Sequence, residues 1–477
     1  MRDREPTIRV GIMADCREIR GCFHGSFQIF SGEELSGDFR FSATGGRITM
    51  ANGADVRSLP EREFHCRPRG AATFSLYNVT IGLNFHWERR EIQTFQGTLS
   101  VLAAADGALT AINEIALEDY LGSVISSEMS AAAPLEFLKA HAVTSRSWLM
   151  AMLEKKDAVR MGTKGAGTEL FKGLDAEKKS DVSTDNNCKD GTLPPAGAGC
   201  AMTLPGDEII RWYGREEHAR FDVCADDHCQ RYQGVTKIIT EQVLQAIDVT
   251  RGLFLVHKGE ICDARYHKAC GGRTEDYGNV WEDIDVPYLM SVSDSPTNFP
   301  PATSAEEAEK WINSSPAVYC NTNDGHALRQ VLPSFDQETT DFFRWKVSYS
   351  REELEELILR KSGIDFGELQ ALIPLERGPS GRIIRLRIEG SKRTVIVGKE
   401  LEIRRWLSSS HLYSSAFIVT TEREEQRKAV RFTIQGAGWG HGVGLCQIGA
   451  ALMAIKGLRM EDILGHYFRG AALRKLY

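Results

Sequence analysis

The sequence predicts an α+β protein, a mixed β-rich body with helices that form a central cleft. Three observations predict it. Residues 1–110 hold runs such as IRVGIM, FSLYNVTIGLNF and QTFQGTLSVLAA, rich in β-branched and aromatic residues and broken by Gly, Asn and Asp, which is strand and turn chemistry. Leu117, Leu121 and Val124 then recur at helical spacing. Further on, helical stretches (304–312, 350–361) alternate with strand runs such as RIIRLRIEG and RTVIVG.

The chain divides by composition. The β-rich part, 1–110, leads into 111–294, where a second helix starts near Pro134, a first-turn position that proline suits. Residues of about 156–210 interrupt that part. Lys, Gly, Asp, Asn, Thr and Pro dominate there and apolar periodicity fades, so the stretch reads as an insertion, with Cys188 and Cys200 as a possible tie. A mixed α/β part follows over 295–430, then a Gly-rich segment and a helix over 431–477.

With 42% hydrophobic and 26% charged residues, the chain has the composition of a folded protein. Its 58 basic and 65 acidic residues give a net charge of -7 and argue against a nucleic-acid partner. No apolar run approaches the roughly 20 residues of a spanning helix, and the first eleven residues lack the apolar stretch of a secretory signal. The 11 cysteines are too sparse for a small disulfide scaffold, and several sit beside histidines, which suits metal or active-site groups.

Four groups can carry chemistry. Glu128, in Ser-Ser-Glu-Met-Ser between the two helices, can project into a cleft, where apolar surroundings would make it a proton donor; otherwise it caps the second helix. To the same group belong Lys139 and Arg146, which are seven apart, share a helix face and can hold a substrate carboxylate or amide oxygen, or can simply be solvated. His218, Cys224, His228 and Cys229 offer four ligands in twelve residues, suited to tetrahedral zinc but at no standard finger spacing; a disulfide or Cys-rich loop is the other reading. His267 and Cys270 precede a Gly pair, as a reactive dyad or as a buried Cys before a turn. Finally, Gly occupies every second position from Gly436 to Gly444. If that segment is extended, Trp439, His441 and Val443 share one face and bare backbone forms the other, which fits either a ligand site or a tightly packed strand.

Several segments together resemble the stage II sporulation protein D and amidase-enhancer (LytB-like) family: INEIALEDYLGSVISSEMSAAAPLEFLKAHAVTSRSW, CQRYQG, YHKACGGRTEDYGNVWEDIDVPYL, GAGWGHGVGLCQIGAALMAIKG and HYFRGAALRKLY, spanning about 112–477. The resemblance implies a peptidoglycan lytic transglycosylase that cleaves MurNAc–GlcNAc bonds, preferably in denuded strands, to 1,6-anhydro-MurNAc products. It implies Glu128 as the catalytic acid and His218, Cys224, His228 and Cys229 as ligands of a structural or site-ordering zinc. By motif position it implies Lys139, Arg146, His267, His441 and Gln447 as substrate residues. It implies peptidoglycan glycan strands as substrate, a cell-wall amidase as partner, and an extracytoplasmic location with an export signal outside this chain. Two rival functions remain open at this level: a non-catalytic enhancer that stimulates an N-acetylmuramoyl-L-alanine amidase, and a zinc hydrolase. The long 156–210 stretch and His141, where the family carries small or polar residues, depart from the pattern.

Overall fold

Ten consecutive strands between Thr7 and Ala116 and the short strand Val223–Cys224 build one eleven-stranded sheet. The computed structural model describes residues 4–59, 61–82, 88–160, 199–204, 207–214, 218–226, 228–238, 240–339, 341–424 and 429–477. The sheet is antiparallel except where Val223 and Cys224 join its edge parallel to Val10 and Gly11. Its strands alternate in burial, as in Glu63–Pro68, because only one face is packed. Phe23, Phe27, Phe39, Phe41, Phe64, Phe74 and Phe95 form a run of ring contacts on that face.

The last strand of the ten, Leu109–Ala116, continues directly into α1, Leu117–Glu128. Ten of the twelve residues of α1 are buried, so it is a core helix rather than a surface one. A turn at Ser130–Ala133 follows, closed by the Ala133 N–H on the Ser130 carbonyl. Then α2, Leu135–Arg160, starts after Pro134 as its sequence predicts. The helices Glu241–Val249, Gln447–Ile455 and Met460–Tyr467 pack on α2. The terminal strand Ala472–Lys475 pairs with Leu253–His257. One hydrophobic core therefore joins the N-terminal sheet, α1, α2, the 223–292 region and residues 443–468.

A second core, from Trp345 to Ile434, lies between a five-stranded sheet and the strands Arg344–Ser350, Phe417–Arg423 and Ala429–Ala437. The α+β expectation holds. The 156–210 stretch differs from a single irregular insertion. Its start is the end of α2, and Gly199–Leu204 and Glu208–Tyr213 form a hairpin that joins Thr394–Gly398 in the second sheet. Residues 161–198 and the Cys188–Cys200 tie lie outside the described residues. Among the described residues no helix is long and apolar enough to cross a membrane.

Candidate active site

Glu128 ends α1, and its half-buried carboxylate is held from two directions. The Arg231 backbone N–H donates to Oε1 at 2.9 Å and the Tyr266 hydroxyl donates to the same oxygen at 3.2 Å. Among the described residues no donor is bonded to Oε2. Burial, and then the Glu128 charge, push the Tyr266 phenol well above its ordinary range, so it stays protonated and donating. Lys268 Nζ donates to the Glu128 carbonyl at 3.1 Å and pairs with Asp336 at 2.7 Å. The arrangement fixes one carboxylate oxygen and the backbone beneath it. Glu128 thus does not cap α2, the alternative its position between the helices allows.

The segment that supplies the Arg231 N–H is itself pinned. Gln230 accepts from the Tyr120 hydroxyl at 3.1 Å and donates to the Ser145 carbonyl at 3.2 Å. The Tyr232 hydroxyl donates to Asn113, and the Gln233 N–H donates to Ser123 Oγ at 3.0 Å. Immediately before it stand the four expected metal ligands, whose donor atoms all lie within 4.8 Å of one another. The His218 Nε2–Cys229 Sγ, Cys229 Sγ–His228 Nδ1 and Cys224 Sγ–His228 Nδ1 distances are 3.3, 3.4 and 3.8 Å. Tetrahedral zinc with ordinary bond lengths separates sulfur and nitrogen ligands by about 3.6 Å, so the donor set fits that ion. The Cys229 N–H bonds the Asp226 carbonyl, a turn that lets adjacent His228 and Cys229 face the same point. Hydrogen bonding from Cys229 is the largest influence drawing the Cys224 thiol down to about 2, against burial.

The Gly-rich segment is laced to residues 266–275. Tyr266 and His267 pair parallel with Leu445 and Cys446, and bridges join Ala269 to Trp439 and Glu275 to Val443. It is not extended: Gly438, Gly440, Gly442 and Gly444 all have φ between 76° and 96°. A Cβ on Gly444 would lie 2.1 Å from the Arg265 carbonyl oxygen, so bare backbone serves close packing of protein on protein.

Side-chain alternation along 266–268 sorts the expected substrate residues. Tyr266 and Lys268 reach Glu128, whereas His267 between them bonds the Val443 carbonyl at 3.1 Å and meets His441 edge-on, whose ring also meets Trp281. Burial, then His267, hold half-buried His441 neutral, well below its ordinary pKa. Gln447 is buried and contacts His141 Nε2 at 3.3 Å; His141 in turn meets the Tyr266 ring edge-on. Burial depresses His141 to about 3, with Lys268 adding to it. None of Lys139, Arg146, His267, His441 and Gln447 is bonded to Glu128. Lys139 pairs with Glu136 at 2.6 Å on its own helix. Arg146, expected to hold substrate or else to be solvated, is corrected: it is fully buried in a two-pronged ion pair with Glu118, at 2.5 and 3.0 Å, because α2 is enclosed by packed helices. It and Lys139 do not share one exposed face. Cys270 is buried too, which removes it as a reactive thiol open to substrate. The residues that do touch Glu128 (Arg231, Tyr266 and Lys268) lie in segments already conspicuous in the sequence. Their signal is adjacency, beside Cys229 and flanking His267.

A family model described as stage II sporulation protein matches residues 105–190, the stretch that carries α1, Glu128 and α2. The same family's proteins match across three quarters of the chain. Stage II sporulation protein D of Bacillus amyloliquefaciens is 23% identical over 75% of this chain and 74% of its own length. The chain is similar to the stage II sporulation protein D and amidase-enhancer family, whose model it matches at α1 and α2. An uncharacterized protein of Brachyspira hyodysenteriae is 24% identical over 79% of this chain and 71% of its own length. The amidase enhancer of Bacillus subtilis is 22% identical over 48% of the chain and 32% of its own length. A second model, a domain of unknown function (DUF8618), matches residues 275–444, which include the second core.

Proposed function

We propose that the protein is a peptidoglycan lytic transglycosylase with Glu128 as its single acid/base. The family similarity supports a cell-wall role, and the pinned carboxylate carries the finer reading. Oε1 is held by two donors, so Oε2 is oriented and available to transfer a proton. In the reaction, Glu128 gives its proton to the glycosidic oxygen between MurNAc and GlcNAc, and the bond from C1 to that oxygen breaks. The resulting carboxylate takes the proton of the MurNAc C6 hydroxyl, whose oxygen bonds to C1 and closes the 1,6-anhydro ring. Glu128 ends protonated as it began, and no water or second carboxylate enters, unlike the paired-carboxylate hydrolases.

His218, Cys224, His228 and Cys229 would hold zinc through two imidazoles and two thiolates. Four protein ligands leave no open position, so the ion would supply structure only. Its place two residues before Arg231 means that ordering this loop aligns the N–H on Glu128. That argues against the zinc hydrolase reading. The expected location is extracytoplasmic, where glycan strands are.

Glu128→Gln is expected to lower turnover on denuded glycan by at least about 10²-fold, the usual scale of general acid–base catalysis, with fold and metal content unchanged. Wild-type production of anhydro-sugar by this variant would sink the proposal. The enhancer reading is favoured by the amidase-enhancer match. It predicts that mass spectrometry finds no anhydro-sugar from the parent protein at all, and faster release of stem peptides only when an amidase is added.

A further inference from the structure

A second group of metal-ligating side chains stands apart from the first. Cys270, Asp294, Cys320 and Cys446 are all buried, and their donor atoms lie within 4.8 Å of one another. They come from four separate segments: the stretch that follows the strand Tyr266–His267, the loop at 293–295, the loop after Val318, and the residue preceding the helix Gln447–Ile455. We propose that these four residues form a second, structural site for a thiophilic divalent cation of the zinc class, which fastens the Gly-rich segment to the stretch whose Tyr266 bonds Glu128.

The donor chemistry fits. Three sulfurs and one carboxylate make a closed tetrahedral set, and sulfur ligands on zinc stand about 3.8 Å apart; Cys270 Sγ and Cys320 Sγ are 3.5 Å apart. Backbone N–H groups already point at the sulfurs as they do at metal thiolates. Cys270 N–H donates to Cys446 Sγ at 3.2 Å, Gly272 N–H to Cys270 Sγ at 3.3 Å, and Gly449 N–H to Cys446 Sγ at 3.4 Å. Asp294 takes the Tyr467 hydroxyl on one oxygen and the Cys320 N–H on the other, which orients the carboxylate and leaves lone pairs for an ion.

Charge gives an independent argument. Three thiolates and a carboxylate around a divalent cation carry a net charge of about 2−, which a buried site must offset. Two guanidinium groups stand beside it. Arg382 is fully buried and donates to the Cys270 carbonyl at 3.1 Å; Arg344 is half-buried and donates to the Gly271 carbonyl at 3.1 Å. Arg382 also feels the buried carboxylates of Glu400 and Glu275, whereas Arg344 bonds only carbonyls and has no carboxylate within ion-pair distance among the described residues. Arg344, a half-buried cation whose nearest charge partners are Cys320 and Cys270, is explained if those thiols are ionised on a metal. A disulfide between Cys270 and Cys320 would explain neither Arg344 nor the converging Cys446 and Asp294.

Metal analysis of the full chain, purified with zinc present, tests this. Two equivalents of zinc per chain are expected in the parent, and one in each of Cys224→Ser/Cys229→Ser and Cys320→Ser/Cys446→Ser. Cobalt(II) loaded into Cys224→Ser/Cys229→Ser is expected to give the thiolate charge-transfer band of a tetrahedral site, a readout that leaves the second cluster untouched. One equivalent or less in the parent, with no metal and no cobalt band in Cys224→Ser/Cys229→Ser, overturns the proposal. So does a Cys270–Cys320 disulfide found by peptide mapping of protein prepared without reductant.

Discussion

Tyr266 and His141 show how single side chains set the behaviour of Glu128. Tyr266 touches the carboxylate and is itself met edge-on by His141. Removing its hydroxyl deletes one hydrogen bond to a charged group, worth about 1.5–3 kcal/mol. Tyr266→Phe is therefore expected to lower kcat on denuded glycan about tenfold or more while leaving the melting temperature within a few degrees, as paired kinetics and calorimetry would show. His141 faces Phe137, Tyr266, Gln447 and the charge of Lys268. Its pKa is depressed to about 3 in the fold, against 6.5 ordinarily, with burial the main cause. The unfolded chain therefore takes up this proton first as pH falls. The stabilisation is complete above 6.5 and is lost as pH falls from there toward 3, by at most about 1.4 kcal/mol per pH unit. Denaturant titrations at several pH values are expected to show a shallower acid slope in His141→Gln than in the parent. Glu128 itself was legible in the sequence only through its family motif. Its donors were not, since a backbone N–H from residue 231 and a phenol from residue 266 are brought to it by long-range packing.

Among the elements, the Gly-rich segment differs most from its sequence reading. Alternate glycines suggested an extended strand with a bare face. The structure bends the segment at four left-handed glycines and packs neighbouring backbone against it. Gly444→Ala meets both a left-handed φ and the Arg265 carbonyl, whereas Gly457→Ala meets a left-handed φ with nothing within 4 Å. The second is expected to cost about 1–2 kcal/mol and the first more, since overpacking adds about 1–3 kcal/mol. Urea denaturation of the pair checks the order; equal losses would mean that close packing at Gly444 is not what the glycine serves. The helices α1 and α2 were readable because apolar residues at helical spacing and Pro134 act locally. The burial of α2 on nearly every side was not, because Lys139 and Arg146 look alike in sequence and only packing separates a half-buried pair from a fully buried one.

At the scale of the whole molecule, the chain returns to its first core after building a second. Residues 443–468 join the N-terminal sheet, α1 and α2, while 345–434 form their own core. The Glu118–Arg146 pair locks this return. Glu118 also accepts from the Gly252 N–H and from the hydroxyl of Tyr477, the last residue, and Arg146 donates to the Leu253 carbonyl. Truncating one partner of a buried pair strands the other charge, at about 3–5 kcal/mol. Arg146→Ala is expected to lower the melting temperature by several degrees, and substrate affinity is expected to follow stability rather than fall on its own. A variant as stable as the parent but with raised KM would return Arg146 to the substrate.

By itself the sequence determined the α+β class, the two central helices, the clustering of four His and Cys side chains and the resemblance to a family, because each is written in local spacing or in contiguous motifs. The tertiary structure alone decided which groups meet. It set Arg231, Tyr266 and Lys268 on Glu128, withdrew Arg146, His267 and Gln447 into the interior, and drew Cys270, Asp294, Cys320 and Cys446 to one point from segments up to 176 residues apart. Such meetings depend on long-range pairing and on the exclusion of water from a shared core, which no local pattern encodes.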